Sequence, residues 1–442
     1  MKVTRIAIKN FRGILDEEIE FNENLNVFIG SNGAGKTTVL EAIIGNLVSI
    51  TDNFNSPNGK EIKVSDINYG KKYCSIELEF FWKEVSNDEY IQIRYRGALP
   101  NQSENRLKKY KKGFDTFIKS LIESITDISV VPIIKFYSAN RKFVEYIDDN
   151  RERQIYAMPQ YETWYGVFHN GVSYSNFARW FLAQETKELR MQRDAGKFDI
   201  KNQKIVPVRE AIAKALEILE GKEYAIKSDE IARSGNNELI PVLTLQEKET
   251  GQKELLDYKS DGEKAIITLV ADIAYNLSIA QGEENADFLN GSGVVLIDEI
   301  EAHLHPNWQR KIIPLLRKLF PNIQFFITTH SPQVIASVNS ENIIVCEDFK
   351  FSKIDIKTKG VDSNTLLRYV FDATERPRAY VDLIEKFEHS IETEESPEKI
   401  EGIIQEVTKL ENRDKGSDIS QLVDELELRL EAYKFDLMHE AN

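Results

Sequence analysis

Cysteine is almost absent: Cys74 and Cys346 are the two in a chain of 442 residues. That scarcity excludes a disulfide framework and a cysteine-built metal site. No apolar run reaches the roughly 18 to 20 residues that a membrane helix needs, and the opening MKVTRIAIKNFRG lacks the apolar core of a secretory signal. Sustained heptads, internal repeats and low-complexity runs are missing too, so no long coiled-coil arm is expected. These absences point to a cytoplasmic protein that makes no membrane contact. Positive charge is also short, with 57 Lys+Arg against 72 Asp+Glu and a net charge of −15. At face value that balance argues against a protein that coats nucleic acid.

The deficit is uneven. Residues 381–442 hold 18 acidic and 7 basic side chains, a net −11, which leaves a net −4 on the first 380. A basic face elsewhere in the chain therefore stays open. Hydrophobic residues at 41% and aromatics at 10% supply a sizeable core.

Periodicity gives a coarse order of elements. The first 29 residues alternate or cluster apolar residues as strands do, and LNVFI reads as a short buried strand that runs into Gly30. TTVLEAIIGNLVSI then has helical spacing. KYCSIELEFFW and YIQIRYRG alternate like strands. Residues 101–235 read as mostly helical, with one buried strand in VVPIIKFYSAN, and RLKKYKKGFDTFIKSLIESI starts basic and continues as an amphipathic helix. From Glu238 a hairpin is expected, then a helix, the strand GVVLIDE, the helix NWQRKIIPLLRKLF and the strand IQFFITTH. Such alternation favours an α/β sheet. In the tail, Ile400, Ile403, Ile404, Val407 and Leu410 share one helical face, and Ile419, Leu422, Val423, Leu426, Leu430 and Tyr433 share another. Each leaves an acidic opposite face, either packed on the body or offered to a partner.

The chemistry begins with GSNGAGKTT, residues Gly30, Ser31, Asn32, Gly33, Ala34, Gly35, Lys36, Thr37 and Thr38. Glycines between a buried strand and an amphipathic helix let backbone amides turn toward a polyphosphate, and the helix adds its positive end. Lys36 would pair with the β- and γ-phosphates, and the Thr37 hydroxyl would ligate Mg²⁺. Asp298 and Glu299 end an apolar strand, where Asp298 can hold Mg²⁺ and Glu299 can orient or deprotonate a water. His330, at the end of another apolar strand, is placed to touch the γ-phosphate; taken alone it would read as a core histidine. In KSDGE, Ser260 and the Gly262 amide precede a helix, as a phosphate contact or as a simple helix cap.

KNFRG, GSNGAGKTT, KSDGE, VVLIDEIEAHLHP and ITTHSPQ, in this order, resemble ABC-type ATPases of the RecF/SMC/OLD-like group. The resemblance implies ATP and Mg²⁺ as cofactors and an α/β fold: an ABC-type P-loop ATPase head with a mixed sheet, a mostly helical insertion and an acidic C-terminal helical tail. Residues 1–100 would be the N-terminal half of the head, 101–235 the insertion, 236–360 the C-terminal half and 361–442 the tail. It further implies a dimer that sandwiches nucleotide, in which Ser260, Gly262 and Glu263 of one subunit face ATP on the other. Leu304-His305 would be the D-loop, His330 the switch histidine, and Phe11 and Arg12 would lie near the nucleotide. Two departures stand out: Lys259 and Asp261 replace the signature's usual Leu and Gly, and His305 replaces the D-loop Asp. A Q-loop is to be sought near Asn140 and Arg141. His303 and His305 form an H-x-H pair without a third metal ligand in the pattern.

The insertion is too short for the arms of SMC proteins, and the stretch after Lys350 has no acid-tipped buried strands of a fused TOPRIM nuclease. The chain is most similar to stand-alone ATPases of Septu-type anti-phage systems, which implies a separate effector, an HNH nuclease being favoured, docked by the helical tail. A PARIS-type ATPase with a TOPRIM effector and a RecF-like repair ATPase are the alternatives. Assembly of dimers into a higher oligomer is left open, as is contact with DNA or RNA through Arg94, Arg96, Arg106, Lys108, Lys109, Lys111 and Lys112, interleaved with Tyr95 and Tyr110.

Overall fold

The computed structural model describes residues 1–51, 64–82, 91–98, 108–110, 131–139, 174–232, 239–281, 288–371, 378–393, 396–410 and 418–440. The N-terminal strands β1 (Lys2–Phe11) and β2 (Ile14–Glu20) form a hairpin. Together with β4 (Tyr73–Phe81), β5 (Ile91–Ala98) and β6 (Lys108–Tyr110) they make an antiparallel sheet of order β2-β1-β4-β5-β6. Alternation on β4 buries Cys74, Ile76, Leu78 and Phe80 and leaves the intervening residues partly exposed, as expected for a sheet covered on one face.

The centre of the second sheet is built from short, mainly apolar runs. β3 (Leu25–Ile29), β11 (Gly293–Ile297) and β12 (Ile323–Thr328) are buried at every position, the signature of strands covered on both faces. With β7 (Ile133–Tyr137), β13 (Ile343–Glu347) and β14 (Lys350–Lys353) they give the order β14-β13-β3-β12-β11-β7. Every pair is parallel except the β13–β14 hairpin, so the sheet is mixed. The two sheets are stitched by one buried amide. Gln324 on β12 accepts from the Val3 N–H at 2.7 Å and donates to the Val3 carbonyl at 2.8 Å, imitating a strand partner.

Helix α1 (Lys36–Thr51) follows β3. The stretch expected to be mostly helical supplies α2 (Tyr174–Ala195) and α3 (Val206–Glu220), then a strand, β8 (Tyr224–Ala232). β8 pairs along its whole length with β9 (Leu239–Glu247), which forms the expected hairpin with β10 (Lys253–Leu255). β8 escaped notice because its outer half, Lys227–Ala232, is mostly polar and has exposed residues on both sides of the pleat. The basic stretch near residue 108 also differs from expectation. Lys108–Tyr110 is an edge strand paired with β5, not the start of a helix, and the remainder of that stretch, with Arg106, Lys111 and Lys112, lies outside the described residues. α4 (Asp261–Ala280), α5 (Pro306–Leu319) and the single turn α6 (Pro332–Ile335) complete this unit.

The chain divides into two compact units, Met1–Asp362 and Ser363–Asn442. The second holds α7 (Ser363–Phe371), α8 (Arg378–Glu392), α9 (Pro397–Leu410) and α10 (Asp418–Glu440). The two tail faces read from the sequence meet each other: Ile400, Ile404 and Val407 of α9 and Leu422, Leu426 and Leu430 of α10 share one core with Leu383 and Phe387 of α8. The described part of the two stripes is thus spent inside a bundle, and the remaining described surface is mainly charged, with Tyr369, Leu428 and Phe435 exposed on it.

Phe387 is fully buried in that bundle. Phe387→Ala is expected to cost the bundle about 3–5 kcal/mol, read as faster amide hydrogen exchange through α9 and α10 with β3, β11 and β12 unaffected; unchanged protection in α9 and α10 would contradict this packing.

Candidate nucleotide site

Three parallel strands end side by side, and each delivers one part of the site. β3 leads into Gly30–Thr38. Gly30 has φ 143°, and a Cβ there would come within 2.0 Å of the Cys346 carbonyl on β13. On its far side the loop is propped by Phe349, at the tip of the β13–β14 hairpin. A Cβ on Gly35 would meet the Phe349 ring at 2.9 Å, one on Gly13 would meet it at 2.3 Å, and the Phe349 N–H donates to the Ala34 carbonyl at 3.2 Å. The tip is tight, with Asp348 and Phe349 both left-handed at φ 47° and 62°. The glycine of KNFRG therefore serves the same ring as a glycine of the phosphate loop.

Lys36 is 7% exposed, and its ammonium curls back onto the carbonyls of Gly30 (3.0 Å) and Ser31 (2.8 Å). Burial lowers its pKa, while the carboxylates of Asp298, Glu299 and Glu301 pull the other way. Burial pushes the Cys346 thiol up to about 12, so this cysteine stays a neutral packing residue. A turned loop, a lysine and the first turn of a 16-residue helix form a fitting cradle for a polyphosphate.

β11 delivers Asp298 and Glu299. The Thr37 hydroxyl lies 3.0 Å from Asp298 Oδ2 and 3.1 Å from Oδ1. A hydroxyl and a carboxylate in contact are the hard oxygen ligands that Mg²⁺ takes beside a nucleotide. Asp298 is 5% exposed and is fixed at its backbone by donating to the Tyr137 carbonyl at 2.8 Å. Glu299 is exposed and left-handed, φ 48°, a conformation that costs a non-glycine residue about 1–2 kcal/mol. It is held there by donating its N–H to Thr328 Oγ1 at 2.7 Å, while that hydroxyl donates to Asp298 Oδ1 at 2.5 Å.

β12 delivers His330. Its backbone N–H donates to Glu301 Oε1 at 2.5 Å, and the next residue, Ser331, donates to Gln309 Oε1. Gln309 in turn donates to the Leu304 carbonyl at 2.9 Å. Residues 301–305 and the end of β12 are thus tied twice. Burial lowers the His330 pKa from its ordinary 6.5, the Lys36 charge lowers it further, and Glu301, Glu299 and Asp298 oppose both. The folded state favours the neutral ring, so stability is intact above pH 6.5 and falls as pH drops below it.

The residues that the resemblance would make signature and D-loop are internally bonded. Ser260 caps α4: its hydroxyl accepts from the Glu263 N–H at 3.3 Å, and Glu263 accepts from the Ser260 N–H at 2.7 Å, a complete capping box. Gly262 is required by this same chain, because a Cβ would fall 2.2 Å from the His303 carbonyl. Lys259, in place of the usual leucine, is 10% exposed and meets Glu220 at 3.0 Å, Glu254 at 2.9 Å and Glu263 at 3.6 Å, with the Tyr224 ring 5.6 Å away. Burial alone would lower its pKa, but hydrogen bonds to Glu254 and Glu220 outweigh it and hold the ammonium charged above the usual lysine range. His305, in place of the D-loop aspartate, does an aspartate's local work: its Nδ1 accepts from the Asn307 N–H at 3.3 Å and caps α5. Leu304 is buried behind it. The His303/His305 pair gathers no third metal ligand among the described residues.

Arg12 is left-handed (φ 48°) and its guanidinium is committed to Glu41 of α1 at 2.5 Å and Asp66 at 2.9 Å, which clamps the β1–β2 turn to the helix behind the phosphate loop. Asn140 and Arg141, where a Q-loop was sought, lie outside the described residues. Sequence reasoning passed over Thr328, Glu301, Gln309 and Phe349. The signal for Thr328 was a hydroxyl closing a mainly apolar strand; for Glu301, a third acid two residues beyond the Asp-Glu pair.

Residues 1–335 match the family described as AAA ATPase domain. The chain is 26% identical to the Retron Ec83 probable ATPase of Escherichia coli, over 89% of this chain and 81% of that protein. It is 25% identical to the Septu protein PtuA of Bacillus thuringiensis, over 90% of this chain and 91% of that protein. Among solved structures, an SmcHead bound to the C-winged helix domain of ScpA aligns at 14% identity and a TM-score of 0.48, over 81% of this chain and 98% of that one.

In the nucleotide-free protein the His330 imidazole is expected to titrate below 6.5, and Lys36→Ala should raise its midpoint by removing the nearby positive charge. Long-range ¹H–¹⁵N NMR reads both; a midpoint at or above 6.5 in the unsubstituted protein would contradict the geometry.

Proposed function

The chain belongs to the AAA ATPase domain family and is an ATPase; from that premise we propose that it is the ATP-hydrolysing subunit of an anti-phage defence complex, a nucleotide-sandwich dimer that controls a separate nuclease. The contact between Thr37 and Asp298 carries the catalytic half of this reading, because it joins the phosphate loop to the acidic strand end with the ligand chemistry of a Mg²⁺ site. Alignment along nine-tenths of a Septu protein supports the defence half.

In this reading Lys36 leaves the carbonyls of Gly30 and Ser31 to pair with the β- and γ-phosphate oxygens, and the amides of residues 33–38 cradle the remainder. Thr37 and Asp298 hold Mg²⁺, which when bound offsets the negative charge of the β- and γ-phosphates. Glu299 sits exposed beside that point and takes a proton from the attacking water. His330, neutral near pH 7, donates a ring N–H to the γ-phosphate. Ser260 and the Gly262 amide of the second subunit complete the pocket, and for this the Glu263 carboxylate must yield its place at the start of α4. As the D-loop, Leu304 and His305 would face the second subunit.

The effector we favour is an HNH nuclease. The tail bundle has buried its apolar stripes, so docking through it would rest on charge and would be weakened by salt. Edge strand β6 sets Lys108 opposite Arg96 and Tyr110 opposite Arg94, a placement that favours nucleic-acid contact along this sheet edge.

Lys36→Ala is expected to abolish nucleotide binding, and Glu299→Gln to keep binding while slowing turnover about 10²–10⁴-fold. Mixing Lys36→Ala with Ser260→Ala subunits should restore part of the activity, since one composite site then has both of its halves intact. Full turnover by the Glu299 variant would remove its role; mixed dimers with no recovered activity would sink the sandwich.

A further inference from the structure

The geometry points to Thr328 as the positioning residue that sets both acids of the site at once: its hydroxyl proton aims the Asp298 carboxylate at the metal, and its lone pair holds Glu299 in the turn that exposes it. This rests on the reading of Asp298 as a Mg²⁺ ligand.

A threonine hydroxyl has one proton and two lone pairs. Here the proton goes to Asp298 Oδ1 at 2.5 Å, and the Glu299 N–H arrives at 2.7 Å on the acceptor side. The donor and acceptor assignments are forced, because a carboxylate can only accept and a backbone N–H can only donate. Thr328 is fully buried and is the last residue of β12. Its carbonyl accepts from the Ile300 N–H at 3.1 Å, so its backbone and side chain together grip residues 298–300. A β-branched side chain in a packed strand has little rotamer freedom, which makes the hydroxyl a fixed reference point.

The consequence appears when the Thr37 hydroxyl turns from Asp298 to a metal. Asp298 then loses a bond of 3.0–3.1 Å to Thr37. Thr328 continues to hold Oδ1, so the carboxylate that would hold the metal keeps a fixed support. Without the Thr328 hydroxyl, Asp298 Oδ1 and the half-buried Glu299 N–H each lose a bond that helps to fix them. Groups one step behind a metal ligand typically change metal affinity or activity about 10–100-fold when removed.

Thr328→Val keeps the shape and deletes the hydroxyl; Thr328→Ser keeps the hydroxyl. The measurements are Mn²⁺ affinity by electron paramagnetic resonance with ADP present, and ADP affinity in EDTA. For the valine variant, Mn²⁺ affinity is expected to fall about 10-fold or more, with ADP affinity in EDTA unchanged; the serine variant should recover most of the metal affinity. Wild-type Mn²⁺ affinity in Thr328→Val overturns the proposal, as does an equal loss of ADP affinity in EDTA, which would mark general damage to the site. Should the valine variant not fold, Thr328→Ala gives the same comparison without a methyl in the hydroxyl's place. Asp298→Asn run in parallel separates the two failures: if it leaves Mn²⁺ affinity unchanged, the metal site itself is misread, whereas an effect of Asp298→Asn with none of Thr328→Val removes Thr328 alone.

Discussion

Everything at the nucleotide site hangs on the registration of β3, β12 and β11. These strands are buried on both faces, and their pairing sets Leu296 beside Phe326 and Phe326 beside Asn26. A slip of one residue would turn each side chain to the opposite face of a packed layer. With that freedom removed, three chain ends arrive at one level: a phosphate loop, an acid pair and a histidine. Ligands of parallel α/β sheets bind at this edge because the strand ends and following helix starts all face it. The Gln324 amide extends the same constraint to β1, so the antiparallel sheet is registered against the inner one.

Around this fixed edge the contacts that reach outward are few and specific. Phe349 leans on Gly13 and Gly35, so the β1–β2 turn, the phosphate loop and the β13–β14 hairpin share one ring. Glu301 and Gln309 tie the backbone around His330 to the stretch that contains Leu304 and His305. A displacement of that stretch therefore displaces the histidine, because the intervening bonds are short and partly shielded from water. Coupling of this kind needs no long-range wire; it is one hydrogen bond long through Glu301 and two through Gln309.

Much of the site was legible in the sequence because its chemistry is local. Gly30–Thr38 announces a loop between strand and helix, and Asp298 and His330 each close an apolar run. What stayed hidden depends on which strand lies beside which. Thr328 meets Asp298 and Glu299 only because β12 runs parallel next to β11, and periodicity along one strand does not encode its neighbour. Phe349 reaches Gly13 across more than three hundred residues of chain. The tail shows the same limit from the other direction: stripes at Ile400 and Leu426 read identically whether they face a partner, a body or each other, and the bundle core decided it. β8 was missed for a different reason, since its exposed outer half has the composition of a surface loop.

Lys259 carries a consequence for how this chain can vary. A cation nine-tenths enclosed among Glu220, Glu254 and Glu263 cannot be exchanged for a leucine without each acid losing its cationic partner. Removing one partner of a buried ionic group is strongly destabilising, whereas replacing the whole group by apolar residues can be neutral. Positions 220, 254, 259 and 263 are therefore epistatic: each is constrained by the other three, and a lineage leaves this arrangement by changing them together. The start of α4 is in that sense coupled to helix α3 and strand β10, and a chimera that grafts any one of them alone imports part of a charge balance.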